Sequence, residues 1–154
     1  MTAPVFLASF DVEDWFHAEN LRSSLAGAPW SSLEARVERN THELLDILAE
    51  TGGKARATFF VLGWIARRHP TLVRRMVADG HEVASHSDVH ARLDRLSRKA
   101  LAQDLAQARD SLEQITGLPV WGLRAPNFSI GDAVLDCLAE SGYWYDSSCY
   151  EFKA

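Results

Sequence analysis

The side chains best able to do chemistry fall in three stretches. Residues 81–90 read HEVASHSDVH, and His86 and His90 stand four apart. Residues 10–16 read FDVEDWF, with acids at Asp11, Glu13 and Asp14. Residues 123–129 read LRAPNFS, where Arg124 is the one charge. On an extended backbone Asp11 and Glu13 point the same way, because side chains alternate with a period of two. One helical turn would bring His86 and His90 to a common face. Two imidazoles and one carboxylate make a three-ligand site for a divalent cation, with room left for water.

The other histidines have plainer readings. His81 lies at the start of an apolar run, away from its carboxyl end, and His42 and His69 fall on or beside helical segments, so structural roles are expected for all three. His17 follows Trp15-Phe16 close to the acid cluster, and contact with a substrate stays open for it.

These residues need elements to hold them, and the chain alternates between strand and helix patterns. VFLASF (5–10) is a continuous apolar run, expected as a strand buried on both faces and ending at Asp11. A polar stretch over 18–32 reads as a loop. A helix follows, capped by Asn40 with Glu43 three residues on, striped by Leu44, Leu45 and Leu48, and ended by Gly52-Gly53. ATFFVLG (57–63) predicts a second buried strand. Two short helices come next, the second opening at Pro70 and closing at Gly80. HEVAS is the third strand. Ser97 caps a long helix whose face carries Leu101, Leu105, Ala108, Leu112 and Ile115, before Gly117 and Pro119 stop it. VWGLRAP (120–126) and YWYDSS (143–148) predict a fourth and fifth strand, with a helix marked by Val134, Leu135 and Leu138 between them.

Such alternation implies an α/β fold with a mostly parallel sheet, in which functional groups gather at the carboxyl ends of the strands. Asp11, Glu13, Asp14, His86, His90, Arg124 and Asp146 all fall there. Either an open five-stranded sheet or a barrel whose last strands are missing from the sequence fits the pattern.

Composition narrows the function classes. The 154 residues suit one domain, and a net charge of −5 argues against a nucleic-acid partner. The pairs Arg67-Arg68 and Arg74-Arg75 read as solvated helix faces. No run approaches the roughly 18 apolar residues of a membrane span, and the amino-terminal stretch lacks the basic region of a signal peptide. Cys137 and Cys149, with no C-x-x-C spacing, read as free thiols. A cytoplasmic location is therefore expected.

Taken in order, FDVEDWF, ATFFVLG, GHEVASHSDVH and LRAPNFS resemble the polysaccharide deacetylase superfamily (NodB homology, carbohydrate esterase family 4) over about residues 6–148. The first motif is most similar to the D-V-E-D/E form of exopolysaccharide-associated bacterial deacetylases. The resemblance implies a distorted (β/α) barrel of about seven strands, truncated here after about five, so that residues 1–154 are a single domain incomplete at its carboxyl side. It implies a hydrolase that removes acetyl groups from an N-acetylated polysaccharide or oligosaccharide with a divalent metal, most often zinc, with cobalt or nickel also suited. It assigns Asp11 as general base and Arg124 as the residue that orients it. It assigns His86 and His90 as metal ligands, with Glu13 as the carboxylate ligand and Asp14 as the alternative. Trp15, Phe16 and Trp144 are candidates for stacking on sugar rings. The family's general-acid histidine belongs to a later motif, whereas every histidine here precedes Arg124. The isolated chain is therefore expected to be weakly active or inactive and prone to associate. Two alternatives remain: an allantoinase-like small-molecule amidohydrolase on the same barrel, and an inactive carbohydrate- or protein-binding fragment.

Overall fold

Parallel strands need helical crossovers to return the chain, and each apolar run is followed by one. The computed structural model describes residues 6–25 and 27–150. Strands β1 (Ala8–Val12), β2 (Ala57–Val61), β3 (Glu82–Ser85), β4 (Gly122–Leu123) and β5 (Tyr145–Asp146) form one parallel sheet in chain order. Helix α1 (Val37–Ala49) joins β1 to β2, α2 (Gly63–Arg68) and α3 (Pro70–Ala78) join β2 to β3, α4 (Arg98–Thr116) joins β3 to β4, and α5 (Asp132–Glu140) joins β4 to β5. A doubly wound sheet reverses its strand order at a switch point. This sheet never reverses, which is the order of a (β/α) barrel.

One face of the sheet makes the core. Val12, Phe59, Val61, Val83 and Leu123 are buried together with Leu45, Ile65, Met76, Leu105, Leu112 and Leu138 from the helices. Alternation turns the intervening residues to the other face. Asp11 lies beside Phe60 in the register, and Arg124 follows Leu123. Both therefore project away from the helices, which is why they can meet.

Several boundaries differ from the sequence expectation. β1 runs through Asp11 and Val12, Val5 lies outside the described residues, and Ser9 and Asp11 are exposed, so β1 is not buried on both faces. It is a sheet edge with a polar inner row. β4 and β5 are two residues each, shorter than expected. The stretch 18–32 is not a plain loop: short 3₁₀ turns occupy Glu19–Leu21 and Trp30–Ser32, after another at Trp15–His17. α1 starts at Val37, so Asn40 lies inside it and does not cap it. Ser97 does cap α4, accepting from the Ala100 N–H at 3.3 Å, and Gly117 ends that helix at φ 70°.

Cys137 is buried, Cys149 is exposed, and both are free. Among the described residues no helix is long and apolar enough to cross a membrane.

Candidate metal centre

The site is assembled at the carboxyl ends of β1, β3 and β4. Just past β1, Glu13 turns its carboxylate toward the loop after β3. Glu13, His86 and His90 each place one donor atom within 4.8 Å of the others'. Nε2 of His90 lies 2.6 Å from Oε2 of Glu13. Yet this buried oxygen makes no aligned hydrogen bond, and Nδ1 of His90 is also buried without one. A lone-pair donor held in that way, beside two imidazoles, fits a divalent cation, and an N₂O donor set suits zinc.

Protonation supports the same use. Burial pushes the Glu13 carboxyl up, but the short contact and charge of His90, with the charges of His86 and His17, outweigh it and leave Glu13 below its ordinary value. Burial holds the His86 imidazole below its ordinary value, against the opposing pull of Asp11 and Glu13. Both groups thus favour the deprotonated, ligating form. The tautomer of His86 is set as well. Its Nδ1 lies 2.8 Å from the Arg124 carbonyl oxygen, which only accepts, so Nδ1 carries the proton and Nε2 keeps its lone pair.

Asp14 is committed elsewhere. Its Oδ1 accepts from the Trp15 N–H at 3.0 Å, and its Oδ2 accepts from the N–H groups of Arg36 at 2.7 Å and Val37 at 3.0 Å. It caps the 3₁₀ turn behind it and the amino terminus of α1, which explains how α1 starts without Asn40.

His86 and His90 are not brought together by a helical turn. The residues after β3 form an irregular loop with Ser87 at φ 68° and His90 at φ 53°. Left-handed backbone at residues with a Cβ is uncommon, and this loop is clamped on several sides. The Ser87 and Asp88 carbonyls accept the first N–H groups of α2, those of Gly63 and Trp64, both at 3.0 Å. Asp88 is buried and takes a two-pronged bond from Arg67, at 2.6 and 3.1 Å. Its N–H donates to Asp104 at 3.1 Å. Arg67 is therefore not a solvated charge but a strut of the loop that carries His86 and His90. Asp88 and Asp104 were not singled out from the sequence, and Arg67 was read only as part of a solvated helix face. The one signal was an acid placed midway between two candidate ligands.

Arg124 and Asp11 meet over the inner face. Nη1 of Arg124 donates to Oδ1 of Asp11 at 2.8 Å, and Nη2 donates to the hydroxyls of Ser9 and Ser147, each at 2.9 Å. The guanidinium lies over the Phe60 ring at 4.2 Å. Asp11 is thus fixed by one oxygen, with Oδ2 left as its second acceptor.

The aromatic candidates separate. Trp15 is part-exposed beside the site, with its ring N–H on the Glu34 carbonyl at 3.0 Å. Phe16 is core. Trp144 is 77% exposed but precedes β5, at the opposite end of the sheet from Glu13, His86 and His90, so it does not face the site. His17 is wholly buried; its Nδ1 accepts from the Asp14 N–H at 2.8 Å, and burial pushes the ring down to about 4. His81, His42 and His69 are structural, accepting from the Ala57 N–H, meeting Arg75 and pairing with Glu38, respectively.

Known proteins carry the same arrangement of elements. The chain is 39% identical over 103 residues, 66% of its length and 47% of the relative's, to a chitooligosaccharide deacetylase from Sinorhizobium fredii. It superposes on the peptidoglycan deacetylase PdaC from Bacillus subtilis with a TM-score of 0.65 at 28% identity, covering 84% of this chain and 52% of that one. A family 4 carbohydrate esterase from Streptomyces lividans shares the fold, with a TM-score of 0.67 at 23% identity over 90% of this chain and 59% of that one. The chain spans about half the length of the curated relatives it matches. The polysaccharide deacetylase family profile matches residues 29–145, a span that includes His86, His90 and Arg124 and begins after Asp11 and Glu13. Through that match, which covers well over half of its length, the chain belongs to the polysaccharide deacetylase family (NodB homology, carbohydrate esterase 4).

Proposed function

We propose that residues 1–154 belong to a single domain of a metal-dependent hydrolase that removes acetyl groups from the amino sugars of an N-acetylated glycan. The observation that carries this reading is a carboxylate pinned by an arginine, Asp11 by Arg124 at 2.8 Å, on the strand that also leads to the Glu13, His86 and His90 cluster. A base and a metal site so close together suit hydrolysis of an amide. The relatives named as chitooligosaccharide deacetylases favour a glycan over a small ureide, and the D-V-E-D motif supports a bacterial exopolysaccharide as its source.

Glu13, His86 and His90 would hold the cation, zinc by donor chemistry, with cobalt or nickel also suited. When bound, it supplies Lewis acidity toward the acetyl carbonyl and lowers the pKa of water from about 16 toward about 7. Asp11 accepts the proton of the attacking water at Oδ2, since Oδ1 is occupied by Arg124. Arg124 keeps that carboxylate aimed, and its own two serine partners keep the guanidinium from following solvent. His86, tied through Nδ1 to the Arg124 carbonyl, keeps its ligand face turned to Glu13. The part-exposed ring of Trp15 offers a surface for a sugar.

Elemental analysis of purified protein, with acetate release from chitooligosaccharides compared with ureide hydrolysis, tests the reading. Stoichiometric zinc, cobalt or nickel with acetate release is expected. A folded protein that takes up none of these metals would overturn it.

A further inference from the structure

His90 has an unusual backbone for a buried ligand. Its φ of 53° lies in the left-handed region, yet its ring is buried against Glu13. Such a conformation persists only where its surroundings hold it. The Asp88 clamp holds the middle of the loop, two residues earlier. At His90 itself the hold comes from the segment after β1. Arg22 Nη2 donates to the His90 carbonyl at 2.5 Å, across 68 residues of chain. Glu19 pairs with Nε of the same guanidinium at 3.0 Å. The same segment sends the buried His17 ring alongside that of His90, with centroids 6.4 Å apart and planes 26° from parallel. Behind His17 stand Phe16, Trp30 and Trp64.

We propose that Arg22 is a positioning residue for His90: its bond to the carbonyl holds the left-handed backbone that turns the imidazole onto Glu13. The inference rests on the metal reading above. A carbonyl bonded by a guanidinium is restrained from rotating, because the bond is charge-assisted and short. Were His90 to relax to a right-handed φ, its Cβ would swing about the backbone and carry the ring off Glu13. The 3₁₀ turns between β1 and α1 therefore serve as the second wall of the site.

Zinc affinity, measured by chelator competition, and the visible spectrum of the cobalt-loaded protein test this. Outer partners of metal ligands typically contribute about 10–100-fold in affinity. Arg22→Ala is expected to weaken zinc by that order and to alter the cobalt spectrum, while far-UV circular dichroism is unchanged. Arg22→Lys, which keeps a charged donor, should recover most of the affinity. Arg22→Gln replaces the alanine variant if that one unfolds. Zinc affinity within twofold of wild type, with an unaltered cobalt spectrum, overturns the proposal, as does equal loss in the lysine and alanine variants. A wild-type protein that binds no zinc removes the metal reading, and this inference with it. A wild-type protein that binds zinc and is indifferent to Arg22 removes the inference alone.

Discussion

Arg124 reaches back 113 residues to place Nη1 2.8 Å from Oδ1 of Asp11, joining the fourth strand to the first over the inner face of the sheet. The link makes no use of the side chains of Glu13, His86 and His90. Arg124→Met should therefore leave zinc affinity within about twofold while slowing acetate release by about 10²-fold, the order of a misplaced general base. Comparable loss of zinc and of rate would show that Arg124 acts on the metal site.

Glu13 and Asp14 are neighbours with opposite duties. Glu13→Ala should abolish tight zinc binding with little change in unfolding temperature. Asp14→Ala strips the acceptor from three backbone N–H groups and should cost about 2 kcal/mol in stability. Chelator competition and thermal melts on the two apo variants separate these effects. A ligand role for Asp14 would appear as zinc loss larger than that of Glu13→Ala.

Gly63 leaves no room for a side chain. A Cβ there would stand 2.2 Å from Oδ1 of Asp88 and 3.1 Å from Cα of Ala108. Gly63→Ala should therefore push Asp88 off Arg67, cost roughly 1–3 kcal/mol by overpacking, and lower the melting temperature by about 3–10 °C. It should also weaken zinc, since Asp88 lies between the two histidines. A melt unchanged from wild type would contradict the packing described.

Asp104 gives stability a readable pH dependence. Burial pushes its carboxyl up to about 6, with the charge of Asp88 adding to the rise. In the unfolded chain it should titrate near about 3.9. Between those values the folded state binds more protons, so stability falls as pH rises through that window and stays reduced above it. Asp104→Asn keeps an acceptor for the Asp88 N–H and removes the titration. Relative to that variant, wild type should lose roughly 1–3 kcal/mol between pH 4 and pH 6 in denaturant melts. A constant difference across the window would show that Asp104 does not titrate there.

Much of the fold was legible because it depends on short-range pattern. The spacing of Leu101, Leu105 and Leu112, the cap at Ser97 and the stop at Gly117 reappear in α4, since a helix satisfies its own backbone and needs one apolar stripe. α3 likewise opens at Pro70. The edge character of β1 was not legible. VFLASF looks like a buried strand, but whether a strand is covered on both faces depends on its neighbours in space.

The candidate site divides along the same line. Residue types and strand-end positions were enough to nominate Asp11, Glu13, His86, His90 and Arg124, because alternation in a parallel sheet puts such groups at one end. Alternation favoured Glu13 over Asp14 but could not show what occupies Asp14. Backbone N–H groups 22 and 23 residues away make Asp14 a cap, and a short-range motif does not contain them. Nor could it foresee that His86 and His90 converge through a left-handed loop instead of a helical turn. That geometry is held by Arg22, Arg67 and Asp104, charges distant in sequence whose bonds to the loop exist only once the chain has folded. Sequence alone thus determined which groups could do chemistry. The tertiary structure decided which of them face one another, because hydrogen-bond commitments are settled by contacts between distant segments.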